Sequence, residues 1–474
     1  LTRSLSPLQS PYLNAGDVPW RLAWLPPQRS EELVDQIIID GGVPLSGSVT
    51  AQGSKNSALP ILFATILTED RCTIHNVPEL SDVRTTLDIL EELGMHCHRD
   101  RHGAICVETT DPSRTLAGYA LVKTMRASIC TLGPLLARRG KAKVSLPGGC
   151  VFGAGGRPVD LHLKGLEALG AQIKVEKGYI IAEGKLKGAT LDLIGPKGST
   201  VTGTANILMA ATLAEGDTEI RNAAMEPEVT DLVGFLRGMG AQIEGSGTST
   251  LKVQGVKELH GTDHIVMPDR IEAGTLLLAG AITKGNVTVK KALPQQLEKL
   301  TACLEQAGFV LAIEDDSISI SANGPIRAID ISTQAYPGFP TDLQAPMTAL
   351  LTQAEGGSQI SENIYQDRFQ HVAELNRLGA GIHQDNDHAI ISGPKELSGC
   401  ECMASDLRSG ASLILAGLVA KGTTTVGRIY HVDRGYEAIE KKLALLGAHI
   451  RREKIEEKTE EAALESTRIP VHQD

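Results

Sequence analysis

Apolar positions along this chain switch between a helical spacing and a strict alternation, and the switch recurs six times. Six amphipathic segments end in glycine: Leu90-Glu-Glu-Leu-Gly94, Leu166-Glu-Ala-Leu-Gly170, Phe235-Leu-Arg-Gly-Met-Gly240, Leu304-Glu-Gln-Ala-Gly308, Leu375-Asn-Arg-Leu-Gly379 and Leu443-Ala-Leu-Leu-Gly447. A glycine just past the last periodic residue is the usual helix stop. Runs such as Ala171-Gln-Ile-Lys-Val-Glu176 and Ala448-His-Ile-Arg451 follow and alternate as half-buried strands do.

A second series interleaves with the first. Apolar helices rich in Ala and Leu begin near Ser57, Ala127, Ala205, Ala273, Ala345 and Ala411, each followed by a tight turn and a strand. The unit is therefore about 70 residues long, with two helices and several strands, too strand-rich for a helical solenoid. The expectation is an α/β protein of two closed domains with three units each. The sixth unit runs out of strands soon after Arg451, whereas Gln36 to Thr50 reads as a strand pair with no helix before it. That pair is expected to complete the domain of units four to six. The chain then crosses between domains near residues 53 and 268. The resulting division is 53–267 for the first domain and 36–52 plus 268–452 for the second.

Both ends break the pattern. Residues 1–35 carry five prolines and both tryptophans, Trp20 and Trp24, and read as a flexible extension. Residues 453–474 are Lys/Glu-rich and read as a charged tail. A formal charge of −11 argues against a nucleic-acid binder. No apolar run approaches the roughly 20 residues of a membrane helix. Eight cysteines without a C-x-x-C pair fit free thiols in a reducing cytoplasm.

One stretch fits neither rhythm. Ser145 to His162 holds five glycines, two prolines, Cys150 and Arg157, so it reads as a long mobile loop between strand and helix. A thiol near Lys143 and Arg157 is a candidate reactive residue, because cations favour thiolate; a merely packed cysteine is the alternative. Gly53-Ser-Lys55-Asn56-Ser57-Ala-Leu-Pro60 opens the first apolar helix. Pro60 is expected in its first turn, which puts Lys55 and Asn56 at a helix N-terminus suited to an anion. A Walker loop is excluded by the glycine spacing and by Asn after the lysine.

Lys123-Thr-Met-Arg126-Ala-Ser128 and Thr200-Val-Thr-Gly-Thr-Ala-Asn206 stand at the corresponding helix starts of units two and three. Either a bound phosphate or a solvated cap suits them. Asp342, in Pro337-Gly-Phe-Pro-Thr-Asp-Leu-Gln344, is either a helix cap or a base near a substrate hydroxyl. Arg368, Arg408 and Arg434 each follow an acidic residue by one or two positions. Local ion pairs are one reading; a shared anion-gripping cleft is the other. His96 and His98 share a strand face without a second ligand group at zinc-like spacing, which points to an exposed hairpin rather than a metal site.

From about Ile37 to Arg452 the chain closely resembles the UDP-N-acetylglucosamine enolpyruvyl transferases (UDP-N-acetylglucosamine 1-carboxyvinyltransferases, MurA type) of the EPSP synthase family. The blocks that carry the resemblance are Gly53 to Pro60, Lys123 to Ser128, Leu146-Pro-Gly-Gly-Cys150, Arg157-Pro-Val-Asp-Leu-His162, Pro268-Asp-Arg-Ile-Glu272, Phe339-Pro-Thr-Asp-Leu-Gln344 and His431-Val-Asp-Arg-Gly-Tyr436. The resemblance implies two inside-out α/β barrels, each of three βαβαββ-type repeats, closing over a central cleft. It implies transfer of the enolpyruvyl group of phosphoenolpyruvate to the 3-hydroxyl of UDP-N-acetylglucosamine with release of phosphate, the first committed step of peptidoglycan synthesis.

By the same resemblance Cys150 is the acid and a possible covalent partner, and Asp342 the base. Lys55, Asn56, Arg157, Arg368, Arg408 and Arg434 would grip phosphoenolpyruvate and the developing charge. Arg126, Pro158, Val159, Asp160, Leu161, His162, Thr200, Val201, Thr202, Asp342 and Ile364 would hold the UDP-sugar. The partners implied are the two small-molecule substrates, with no nucleic acid, no membrane insertion, and no metal or organic cofactor. One departure stands out: Gly155-Gly156 is inserted before Arg157, which changes the reach and entropy of the loop. Two rival readings remain. One is a non-catalytic UDP-sugar-binding paralogue with an altered loop. The other is a shikimate-pathway enolpyruvyl transferase, which lacks the Pro-Gly-Gly-Cys loop and the Lys-Asn start.

Overall fold

The computed structural model describes residues 33–146, 159–365 and 367–456. Cys150, Arg157, Pro158 and the Gly155-Gly156 insertion lie outside the described residues.

The six sequence units become six four-stranded sheets of one topology. The second unit shows the plan. Lys141–Ser145 pairs antiparallel with Tyr179–Glu183, which pairs antiparallel with Gln172–Glu176; Leu116–Ala117 adds a parallel edge. In the sixth sheet the hairpin strand is missing from its own unit, and Leu33–Asp40 takes that place between Thr423–Gly427 and His449–Glu456. Ser46–Thr50 adds the parallel edge to Asn286–Lys290, and Asp263–Ile265 adds it to Cys72–His75. Each barrel is thus closed by a strand distant in sequence.

The helices lie inside and the sheets outside, the inverse of an ordinary α/β barrel. Burial explains why. All residues of Arg270–Ile282 and Gln344–Leu351 are buried, as are all but two of Val201–Ala211. A helix apolar on every face belongs in a core. The strands alternate buried and exposed positions, as in Asp217–Arg221, so each sheet has one wet face. One apolar core runs from Ala58 to Val266; a second joins Ile37–Ala51 to Ile271–Ala448. All six segment-ending glycines, Gly94, Gly170, Gly240, Gly308, Gly379 and Gly447, adopt positive φ, which only glycine takes up without strain.

The chain passes between the two cores at two points that lie side by side. Gly53 and Pro268 form an antiparallel bridge, flanked by Ser54 N–H to Met267 O and Asp269 N–H to Gln52 O, both 2.8 Å. A Cβ at Gly53 would fall on the carbonyl oxygen of Asn76, so no other residue fits there.

Three local expectations need correction. Pro60 sits well inside the helix Lys55–Ala64 and not in its first turn; its ring only withholds a donor from the Asn56 carbonyl, close to the helix start. The second and fifth inner helices begin as 3₁₀ turns, Arg126–Thr131 and Thr341–Leu343, before becoming α-helical at Leu132 and Gln344. The sheet also reaches a few residues into both the expected extension and the expected charged tail. Leu33 to Asp35 and Glu453 to Glu456 belong to one antiparallel ladder, in which Leu33 pairs with Glu456. Arg452 reaches Asp35 at 3.2 Å across that ladder, so its charges are paired across the sheet.

Candidate active site

The starts of the inner helices carry almost every residue singled out in the sequence. In the first inner helix Ser54 is the N-cap and accepts from Ser57 N–H, leaving Lys55 at the first helical position. The Lys55 side chain is nearly buried, and its Nζ lies 3.0 Å from Asp82 Oδ2. Burial depresses the Lys55 pKa, with Asp82 opposing. Asp82 comes from the first turn of Ser81–Glu92. Its other oxygen accepts from Arg434 Nε at 2.9 Å. Burial pushes the Asp82 carboxyl up, but Lys55 and Arg434 together hold it below the usual carboxylate range. Lys55 and Asp82 belong to the first barrel and Arg434 to the second, so this carboxylate joins the two across the cleft. Asn56 is exposed beside it.

Asp342 stands in the 3₁₀ turn at the start of the fifth inner helix, and its side chain caps nothing there. Its two oxygens face two guanidiniums instead, Arg368 at 2.6 Å and Arg408 at 2.7 Å. Arg408 is buried and its partners hold it firmly charged; it also donates to Tyr436 Oη at 3.2 Å, which in turn meets Thr275 Oγ1 at 2.9 Å. Arg368 also donates to Thr341 Oγ1 at 2.8 Å. None of the three arginines pairs with its neighbouring acid. Asp406 caps the helix Leu407–Gly417 through Arg408 N–H and Ser409 N–H. Asp433 takes Arg452 in a two-pronged contact of 2.6 and 3.0 Å. Asp367 is exposed at the surface.

A second cluster gathers the remaining first-barrel residues. Thr200 caps the helix Val201–Ala211 by accepting from Gly203 N–H, so here a helix cap is what the sequence encoded. His162, buried at the start of Asp160–Ala168, lies 3.3 Å from Thr202 Oγ1 and 3.1 Å from Asn206 Nδ2. The Asn206 amide also donates to Ile129 O and accepts from Gly133 N–H, which fixes its orientation. Because the amide nitrogen faces His162 Nδ1, that nitrogen accepts and Nε2 carries the hydrogen toward Thr202. Arg126 begins the adjacent 3₁₀ turn, Val201 sits beside Thr202, and Val159 packs into the core. Asp160 pairs with Lys164 at 3.6 Å, and Leu161 is half-buried next to it. Ile364 is in the second barrel, its N–H bonded to the buried Glu362 at 2.8 Å.

Asp82 and Glu362 escaped the sequence reading, and Asn206 and Tyr436, which end two of its motifs, were given no role there. Glu362 is fully buried and accepts from Thr333, Thr341, Ile364 N–H and Tyr365 N–H, bracing both Thr341 and Ile364. Asp82 reads in sequence as an ordinary first-turn acid, and no local signal marks it. His96 and His98 lie on the strand Met95–Arg99 of a hairpin, and the described residues contain no group of three metal-capable side chains.

The profile of the EPSP synthase (3-phosphoshikimate 1-carboxyvinyltransferase) family matches residues 39–443, nearly all of both barrels. The chain belongs to the EPSP synthase family. Within it, the chain is 52% identical over 420 residues to a UDP-N-acetylglucosamine 1-carboxyvinyltransferase of Methylacidiphilum infernorum, covering 88% of this chain and 99% of the relative. A relative of the same name from Anaeromyxobacter is 51% identical over 426 residues, 89% of this chain and 100% of that one. Among solved structures, the enolpyruvyl transferase NikO from Streptomyces tendae superposes with a TM-score of 0.80 at 24% identity, covering 89% of this chain and 100% of that one. An EPSP synthase from Acinetobacter baumannii gives 0.65 at 20% identity, with the same coverage. At those identities the structures bear on the fold alone. They agree with two inside-out barrels as the architecture of this EPSP synthase family member.

The buried histidines give the family member a predictable acid response. Burial lowers His162 and His371 to about 4 each. In the unfolded chain each titrates near 6.5. Between those values only the unfolded state takes up protons, so stability is full above pH ~6.5 and falls as pH drops toward ~4. The expected loss is on the order of 3 kcal/mol per histidine. Urea unfolding at pH 7 and pH 4.5 measures it, and replacing His371 with Gln should flatten the slope. An unchanged slope in that variant would refute the assignment.

Proposed function

We propose that the protein transfers the enolpyruvyl group of phosphoenolpyruvate to the 3-hydroxyl of UDP-N-acetylglucosamine, releasing phosphate, and so commits the sugar to peptidoglycan synthesis. The observation that carries this is the 52% identity, across 99% of its length, to a relative named for that activity. The site chemistry supports it. Addition to the enol needs a proton at carbon, a base for the sugar hydroxyl and cations around phosphate and carboxylate. Cys150 supplies the proton and Asp342 accepts one. Lys55, Asn56, Arg157, Arg368, Arg408 and Arg434 hold the small anion. Arg126, Pro158 to His162, Thr200 to Thr202, Asp342 and Ile364 hold the UDP-sugar.

The ion pairs suggest how binding readies the base. Each oxygen of Asp342 faces a guanidinium, so opening one pair makes room for a substrate hydroxyl beside the carboxylate. An incoming phosphate or carboxylate competes for Arg368 and Arg408, because both prefer a two-pronged anionic partner. Arrival of phosphoenolpyruvate then frees an oxygen of Asp342 for the sugar hydroxyl. Likewise a substrate anion replaces Asp82 as a partner of Lys55 or Arg434. Closure of the two barrels on both substrates would exclude water and complete the cation set.

We place the enzyme in the cytoplasm as a two-substrate, small-molecule enzyme. The seven described cysteines are unpaired, and no described helix is long and apolar enough to cross a membrane. The test is phosphate release with phosphoenolpyruvate and UDP-N-acetylglucosamine together. Release is expected only with both present, and none when 3-phosphoshikimate replaces the UDP-sugar. Tight UDP-sugar binding without any release would instead favour a non-catalytic paralogue.

A further inference from the structure

We propose that Gln52 is a positioning residue that sets where Arg434 stands against Lys55 and Asp82. The inference rests on the reading of Arg434 as a phosphoenolpyruvate-binding cation. Gln52 lies on the first chain crossing, next to Gly53, and is 7% exposed. Both ends of its side-chain amide bond to one segment: Nε2 donates to Gly435 O at 3.0 Å, and Oε1 accepts from Glu437 N–H at 2.9 Å. Those two groups lie one and three residues after Arg434. Its backbone ties the crossing together as well, with Gln52 N–H on the buried Glu272 at 2.7 Å and Gln52 O on Asp269 N–H.

The contacts close into a ring. From Gln52 the path runs through Gly435 and Glu437 to Arg434, then Asp82, then Lys55, whose N–H lies 3.2 Å from Asp269 Oδ2, and back to Gln52. The ring passes between the barrels twice, at Asp269 on the Lys55 N–H beside the chain crossing and at Arg434 on Asp82, and Arg434 is the cation that reaches from the second barrel to the first. Asp433 on its other side is fixed by Arg452, and Tyr436 by Arg408. Gln52 is therefore the member that refers the arginine to the crossing, where the chain passes between the barrels. The orientation of the amide is also specified, because a carbonyl on one side demands a donor and an N–H on the other demands an acceptor.

Gln52→Glu keeps the shape but turns an acceptor toward the Gly435 carbonyl; Gln52→Met keeps the volume and removes both bonds. Misplacing a binding cation by about 1 Å costs up to ~100-fold, so each variant should raise KM for phosphoenolpyruvate about tenfold. KM for UDP-N-acetylglucosamine should stay within about twofold, because the Thr202–His162 cluster does not touch the ring. Residues acting through one another are non-additive, so Gln52→Glu should add nothing further on an Arg434→Ala background. A merely structural role lowers the thermal midpoint and the active fraction without moving either KM, and that result would overturn the proposal. So would a full additional loss in the double variant. If Arg434→Ala itself leaves KM for phosphoenolpyruvate unchanged, the assignment of Arg434 fails, and that outcome is distinct from a failure of Gln52 alone.

Discussion

Alkylation of Cys150 is expected to abolish turnover, and no other thiol of the chain should matter. The seven remaining cysteines give the physical reason. Cys72, Cys97, Cys106, Cys130, Cys303 and Cys402 are buried, and Cys400 is half-buried. Burial pushes Cys72 up to about 11 and Cys130 and Cys402 up to about 12, and raises Cys97 and Cys303 as well. The thiolate is the nucleophile, so such thiols are slow at neutral pH. Cys150 lies outside the described residues. Its expected reactivity rests on the sequence, which sets it among Lys143, Arg157 and a run of glycines. The epoxide fosfomycin and iodoacetamide should both label it, and phosphoenolpyruvate with UDP-N-acetylglucosamine should slow the labelling. Labelling of the half-buried Cys400 by iodoacetamide is expected to leave activity unchanged. Peptide mapping after partial inactivation decides the matter: activity loss that tracks a label at Cys400 or Cys72 would remove Cys150 from the mechanism.

Asp342→Asn should lower kcat by ~10²- to 10⁴-fold, the usual worth of a positioned base. The structure adds a second and opposite expectation. With the carboxylate gone, Arg368 and Arg408 lose the anion that competes with substrate for them. Phosphoenolpyruvate should therefore bind at least as tightly as before, while turnover collapses. The free protein should become less stable, by on the order of 1–3 kcal/mol, because two nearly buried guanidiniums then face each other uncompensated. Phosphoenolpyruvate should restore part of that loss, which a thermal midpoint with and without the anion will show. Near-normal kcat would leave Asp342 as a clamp for two arginines and no base. Weaker phosphoenolpyruvate binding would show that the carboxylate organises the arginines for the substrate rather than competing with it.

The six-fold rhythm was legible because both its signals are local. A glycine at the end of an amphipathic run specifies positive φ, and all six such glycines adopt it. The Ala/Leu-rich helices were legible from composition, whereas their place inside the sheets was implied by the family resemblance and is seen in their burial. Element ends were less legible. Pro60, the 3₁₀ starts at Arg126 and Thr341 and the ladder from Leu33 to Glu456 depend on neighbours that a sequence window does not contain. Capping illustrates the boundary well. Thr200 and Asp406 cap their helices as their residue types suggest, yet Asp342, which looks the same in sequence, has two guanidiniums within reach and caps nothing. Electrostatic attraction from distant chain outweighs a local cap bond when the site is partly desolvated.

The sequence by itself determined the repeat, the all-round apolar helices, the family and the identity of the residues at the helix starts. Each follows from periodicity, turn chemistry or ordered motifs that a reader of one dimension can see. Only the tertiary structure decided the partnerships: Lys55 and Arg434 on Asp82, Arg368 and Arg408 on Asp342, His162 on Asn206, and Gln52 on the backbone after Arg434. A charged side chain seeks the best-placed opposite charge in space, at energies that depend on distance and burial and carry no memory of separation along the chain. Asp82 and Arg434 are 352 positions apart in sequence and 2.9 Å apart in the fold.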